Sequence, residues 1–123
     1  MKKTFLILAF LMGPLPVSAH TVLNPVLVAK GKKVFMQNCV PCHGVKGNGM
    51  GPVGQYMNPR PRNFVDPTAP NGKFLNKHGG GSVAGIYWVA THGLPGTAMA
   101  GFPQLSSADR HAVAEYVRSL RKK

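Results

Sequence analysis

The chain has 123 residues, of which 44% are hydrophobic, so it is long enough for one domain and is not disordered by composition. Fifteen lysines and arginines face three acids, for a net charge of +12, and only two cysteines are present. A core of side chains alone is marginal at this size, and a bound cofactor would help to stabilise it.

The N-terminal segment has the layout of a secretory signal peptide. Two lysines near the start precede an apolar run over residues 5–12, and small residues follow at 17–19. The apolar run is too short to span a bilayer. We expect cleavage after Ala19, so that residues 1–19 are removed and residues 20–123 form the mature domain in the periplasm. An uncleaved N-terminal anchor is the alternative.

Export changes what the basic charge implies. A cytosolic protein with this charge would suggest nucleic acid, but an exported one meets mainly acidic protein surfaces and anionic lipid headgroups. We therefore expect no nucleic-acid partner. A charge that serves only solubility, or adaptation to an acidic medium, is the alternative explanation.

The first predicted helix begins after Asn24, which can cap it, and Pro25 suits its first turn. A glycine at Gly31 costs about 1 kcal/mol in a helix relative to alanine, so its presence suggests that another element packs closely there. The residues that share one face at helical spacing are Val28, Gly31, Val34 and Phe35.

The helix leads into the motif formed by Cys39, Cys42 and His43, with two residues between the cysteines. Three chemistries suit it: a redox-active disulfide, a zinc site that would need a fourth ligand, or covalent attachment of haem. Two intervening residues let both thiols reach the two haem vinyl groups from one helical turn, and the next residue can bind iron. The glycines that follow predict a loop rather than the strand and helix of a thioredoxin-like unit.

The rest of the chain predicts two more helices between long loops, and no strand. Residues 44–81 form a glycine- and proline-rich loop with one short helix near 53–57, a length that is reasonable if the loop packs on a flat cofactor. A second helix over residues 82–93 can be capped by Ser82 and ended by Gly93. The last helix is predicted to start near Ser106. Ser106 and Asp109 together resemble a capping box, with Asp in place of the usual Glu or Gln. Its apolar stripe comprises Ala112 or Val113, Tyr116, Val117 and Leu120.

This layout resembles the class I c-type cytochromes from about Pro25 to Leu120. In that family the first and last helices cross closely through a glycine and aromatic residues, and Gly31, Phe35 and Tyr116 match those positions. The resemblance implies an all-α class I cytochrome c fold, with three main helices and long loops wrapped around one covalently bound haem. The segments that carry it further are "GNGMGP", "PRPRNF" and "GLPGTAMAGF".

The resemblance also implies a ligand set. His43 would bind iron on one face and Met99 on the other, while the carbonyl of Pro52 would accept the second N–H of His43. Arg62 would contact the haem propionates. Met57 is the main rival sulfur, and the rival imidazoles, which we expect in loops or at the surface, are His78, His92 and His111. Tyr56 and Trp88 are expected to pack in the core rather than bind propionates.

A thioether opposite an imidazole raises the reduction potential, and an unchanged ligand set in both oxidation states suits an electron carrier. We therefore predict a monomeric, non-enzymatic single-electron carrier with no stable membrane anchor. Its redox partners would dock through acidic surfaces. The alternatives are a haem subunit of a larger dehydrogenase or oxidase complex, and a ligand-binding or peroxidase-like haem protein with an open sixth position.

Overall fold

The computed structural model describes residue 13 and residues 22–73 and 78–122. These residues form four α-helices and a 3₁₀ turn, with no strand in the described part of the chain. No helix among them is long and apolar enough to cross a membrane. The predicted signal peptide lies outside the described residues, apart from residue 13. The elements are α1 (Pro25–Asn38), α2 (Val40–His43), the 3₁₀ turn (Gly54–Tyr56), α3 (Val83–His92) and α4 (Ser107–Ser119).

The predicted caps of α1 and α3 are confirmed. The side-chain oxygen of Asn24 accepts a hydrogen bond from the backbone N–H of Val26 at 2.9 Å. Ser82 accepts one from the N–H of Gly85 at 3.0 Å. Gly93 follows α3 with φ 73°, a left-handed conformation that glycine adopts without a steric penalty.

Helix α4 is capped as predicted and is also tied to α1. The hydroxyl of Ser106 accepts a hydrogen bond from the N–H of Asp109 at 3.0 Å. The carboxylate of Asp109 lies 2.9 Å from the ammonium group of Lys30. This contact, followed by the hydroxyl of Ser106, holds the pKa of Asp109 below its usual value. The cap and the ion pair thus fix the start of α4 against the middle of α1.

Helices α1 and α4 cross at Gly31, as the sequence predicts. A Cβ atom at Gly31 would lie 1.9 Å from the carbonyl oxygen of Ala112 and 2.8 Å from Cβ of Tyr116. The rings of Phe35 and Tyr116 meet edge to face beside the crossing, with centroids 5.2 Å apart. This close contact packs α1 directly against α4, just before the chain enters α2. The buried core residues are Val34, Phe35, Phe64, Ile86, Ala90, Val113, Ala114, Tyr116 and Val117.

The loop after α2 folds back onto that helix. The N–H of Val53 donates to the carbonyl of Pro41 at 2.9 Å. A Cβ at Gly54 would lie 2.0 Å from the carbonyl oxygen of Cys42, so the 3₁₀ turn presents its glycine to α2. Tyr56, at the other end of this short turn, is 84% exposed. The prediction that Tyr56 packs in the core is therefore wrong.

Candidate functional site

A cavity of about 780 Å³ lies beside α2, a size typical of cofactor sites. Cys39, Cys42, His43 and Met99 all line it. The remaining wall is largely apolar, which suits a flat, hydrophobic ring system whose metal needs a few fixed donors. Apolar lining residues include Phe35, Ile86, Val89, Ala90, Leu94, Phe102, Leu105, Val113 and Val117.

His43 is held in one orientation at the end of α2. Its ring is 8% exposed and stacks on Phe64, with centroids 4.4 Å apart. Its Nδ1 lies 3.2 Å from the carbonyl oxygen of Arg62, and because a carbonyl only accepts, Nδ1 carries the proton. Burial lowers the pKa of His43, while the bond to Arg62 opposes that shift. The ring is therefore neutral, with a lone pair on Nε2 for a metal.

The carbonyl that holds His43 is not the one predicted. Pro52 is exposed, and its carbonyl accepts a hydrogen bond from the Gln55 side-chain amide at 3.3 Å. The loop after α2 folds back onto that helix, and there the carbonyl of Pro52 bonds to Gln55 rather than to His43. The carbonyl of Arg62, from a segment further along the chain, takes its place.

Two contacts fix the segment that contains Arg62. The N–H of Phe64 donates to the carbonyl of Gly47 at 2.8 Å. The side-chain amide of Asn71 donates to the carbonyl of Pro61 at 2.8 Å. The sequence draws attention to Arg62 for its guanidinium, but the structure uses its backbone, and a backbone carbonyl leaves no residue-type signal. Arg62 lines the cavity, and a contact of its side chain with a propionate stays a prediction.

The two cysteines lie at the start and middle of one helical turn. Cys39 caps α2, and its carbonyl accepts the N–H of His43 at 2.8 Å, so the motif is a single hydrogen-bonded unit. Both cysteines are half-buried. Burial, followed by the charge of Cys42, raises the pKa of Cys39 to about 12. Cys39 is thus protonated at neutral pH, and a thiol in this form could supply both the sulfur and the hydrogen for addition across a vinyl bond.

Three candidate donors besides His43 line the cavity, namely Met57, His78 and Met99. His78 is half-buried and stacks on Trp88, with centroids 3.6 Å apart. It therefore contributes to the cavity wall from a segment between the main helices. The rival methionines and histidines that are absent from this lining are Met36, Met50, His92 and His111.

Met99 belongs to a loop that is closed by hydrogen bonds through its backbone and the hydroxyl of Thr97. Its carbonyl accepts the N–H of Leu94 at 2.9 Å, and its N–H donates to the hydroxyl of Thr97 at 3.1 Å. The same hydroxyl donates to the carbonyl of Leu94 at 2.7 Å. This closed set of bonds holds the backbone of Met99 beside the cavity.

The family model described as cytochrome c matches residues 28–121. The chain belongs to the cytochrome c family. It is similar to the FixP subunit of a cbb3-type cytochrome c oxidase from Azorhizobium caulinodans, with 35% identity over 109 residues. It is also similar to a solved chain of the reducing HAO-like protein complex of Kuenenia stuttgartiensis, with 26% identity and a TM-score of 0.59.

These matches cover most of this cytochrome but less than half of either relative. The match to the FixP subunit spans 79% of this chain and 32% of that subunit. The match to the Kuenenia chain spans 75% of this chain and 41% of that chain. Both relatives are named as parts of larger complexes.

Family membership confirms the all-α cytochrome c fold and a covalently bound haem c with its iron. The protein is therefore an electron-transfer protein. The residues that line the cavity fit this group: two thiols on one turn, a neutral buried imidazole, further sulfur and imidazole donors, and apolar walls.

Proposed function

We propose that this cytochrome is an exported, monomeric carrier of single electrons with one haem, attached through Cys39 and Cys42. His43 and Met99 would bind the haem iron. The observation that carries the proposal is the shared cavity, which brings both thiols, the buried imidazole and the Met99 loop to one site.

Each residue has a defined task in this proposal. The bound haem supplies an iron that alternates between Fe(II) and Fe(III). His43 would offer Nε2 to the iron, while the carbonyl of Arg62 restrains the ring through Nδ1. The Met99 loop would hold a neutral thioether near the iron in both oxidation states. An unchanged ligand set would mean that the site reorganises little when an electron is transferred. A thioether would also favour the reduced iron more than a second imidazole would.

The first test is the optical spectrum of the oxidised holoprotein and of Met99→Ala. A low-spin spectrum with a methionine-to-iron charge-transfer band that the substitution removes supports the proposal. Met57→Ala is the matched control, because Met57 lines the same cavity and should leave that band unchanged. A high-spin spectrum that neither substitution changes would favour the ligand-binding or peroxidase-like alternative.

The comparisons favour a second candidate, a haem subunit of a larger redox complex. This chain matches only a part of two relatives that belong to such assemblies. Sedimentation of the native protein from its source distinguishes the two candidates. A free species with the mass of one chain supports the carrier, and a stable larger particle supports the subunit.

Location and partner are part of the same proposal. Removal of residues 1–19 would release the protein into the periplasm, and N-terminal sequencing of the mature protein tests cleavage after Ala19. The charge of +12 supports a redox partner with an acidic docking surface, since opposite charges steer the encounter.

A further inference from the structure

The segment that follows Met99 is bound by a side chain from another helix. Arg110 lies on α4, and its Nη1 donates to the carbonyl of Phe102 at 3.2 Å and to that of Leu105 at 2.5 Å. Its guanidinium carbon also lies 5.8 Å from the ring centroid of Tyr87, on α3. One side chain thus joins two helices and the segment between them.

The segment held by Arg110 forms part of the cavity wall. Phe102 and Leu105 both line the cavity, as Met99 does. The N–H of Phe102 donates to the carbonyl of Ala90 at 2.9 Å, so Phe102 is bound through its N–H to α3 and through its carbonyl to α4. Met99 therefore lies between two restraints: the bond from Leu94 on its N-terminal side and the fixed backbone of Phe102 on its C-terminal side.

The guanidinium has little else to bind. No carboxylate pairs with Arg110 among the described residues, and its Nε is buried without a hydrogen-bond partner there. Its strong contacts are with backbone carbonyls, and a charged donor makes stronger bonds to them than a neutral one. The side chain is thus placed to hold a loop rather than to neutralise an acid.

We propose that Arg110 is a positioning residue that keeps Met99 on the iron. This inference rests on the proposed His43/Met99 ligation. With Arg110 in place, the loop has one preferred conformation, and a competing ligand must overcome it to replace the thioether. Without Arg110, conformations in which Met99 has left the iron become more populated, and an added ligand binds more tightly.

The experiment is a titration of the oxidised holoprotein with imidazole, followed by loss of the methionine-to-iron charge-transfer band. Arg110→Met is expected to bind imidazole about tenfold more tightly than the wild type, or about 1.4 kcal/mol. The matched control is Arg118→Met, since Arg118 is also on α4 but lines a separate cleft near Ser82. The control should keep the wild-type affinity.

This readout separates positioning from general stability, because imidazole binding is measured while the protein is folded. Wild-type imidazole affinity in a folded Arg110→Met protein overturns the proposal. Should that variant fail to fold, Arg110→Lys decides in its place: tighter imidazole binding than the wild type supports the proposal, and unchanged binding overturns it. Failure of the ligation itself has a different signature, a wild-type spectrum that Met99→Ala does not alter.

Discussion

Replacing Gly31 with alanine tests the crossing that precedes the haem-binding motif. Helix propensity alone predicts that the substitution stabilises α1 by about 1 kcal/mol. The structure predicts the opposite, because the new Cβ would lie 1.9 Å from the carbonyl oxygen of Ala112 on α4. The carbonyl oxygen of Ala112 and the Cβ of Tyr116 are fixed to the backbone of α4, so a change of side-chain rotamer cannot move them. Helices α1 and α4 must therefore move apart.

The size of the effect follows from the two opposing terms. Overpacking a well-packed core costs typically about 1–3 kcal/mol, and a clash with backbone belongs at the upper end of that range. Subtracting the propensity gain of about 1 kcal/mol leaves a net loss of about 2 kcal/mol. For a domain of this size, that loss lowers the midpoint of thermal unfolding by about 10 °C.

The assay is guanidinium unfolding of the holoprotein, followed by far-UV circular dichroism. Ala29→Gly is the control, since Ala29 is exposed in the same helix and reports the propensity term without the clash. Its free energy of unfolding should fall by about 1 kcal/mol. If the free energy of unfolding of Gly31→Ala instead rises by the amount that the control loses, then α1 and α4 do not approach each other as closely as described.

Three further predictions concern charge and local hydrogen bonding. The pKa of Asp109 is lowered on folding by its contact with Lys30, so its contribution to stability is present above about pH 4 and is lost as pH falls through the folded-state pKa. Asp109→Asn should therefore be less stable than the wild type at neutral pH, and acid titration of the free energy of unfolding should show the two converging. Asn63→Ala removes a side-chain oxygen that accepts two backbone N–H bonds at 3.0 Å each, and denaturant unfolding should show a loss of about 1–2 kcal/mol. Because Arg60 and Arg62 line the cavity, oxidation of the reduced protein by anionic ferricyanide should slow as salt is added, whereas oxidation by a tricationic cobalt complex should accelerate. Stopped-flow measurements with the same sign of salt dependence for both oxidants would contradict a positive field at that site.

The helices were predictable because their signals are local. Asn24, Ser82 and Ser106 precede apolar periodic runs, and each caps the helix expected of it. Gly31 was informative for another reason: a glycine that costs helix stability occurs where the neighbouring helix leaves no room for a side chain. In these cases residue type alone carried the structural constraint.

The parts of the site that the sequence missed depend on backbone atoms or on distant contacts. The carbonyl that holds His43 comes from Arg62, whose side chain gives no hint of that role. His78 enters the cavity wall because it stacks on Trp88, and no local period predicts a pairing across that distance in the chain. Arg110 acts on the Met99 loop through two backbone carbonyls. Any residue type can supply a backbone carbonyl, so the sequence gives no signal for this contact either.

The three acidic side chains are few, and each has a defined place in the fold. Asp109 is bound to Lys30, and Asp66 accepts hydrogen bonds from the hydroxyl and N–H of Thr68 at 2.6 Å and 2.8 Å. Glu115 is only 9% exposed. The sequence contains no other acid, so each of its three carboxylates is either engaged locally or withdrawn from solvent. With fifteen lysines and arginines against three acids, the field of the chain is predominantly positive. A partner with an acidic face would be attracted by this excess of positive charge, which favours fast encounter.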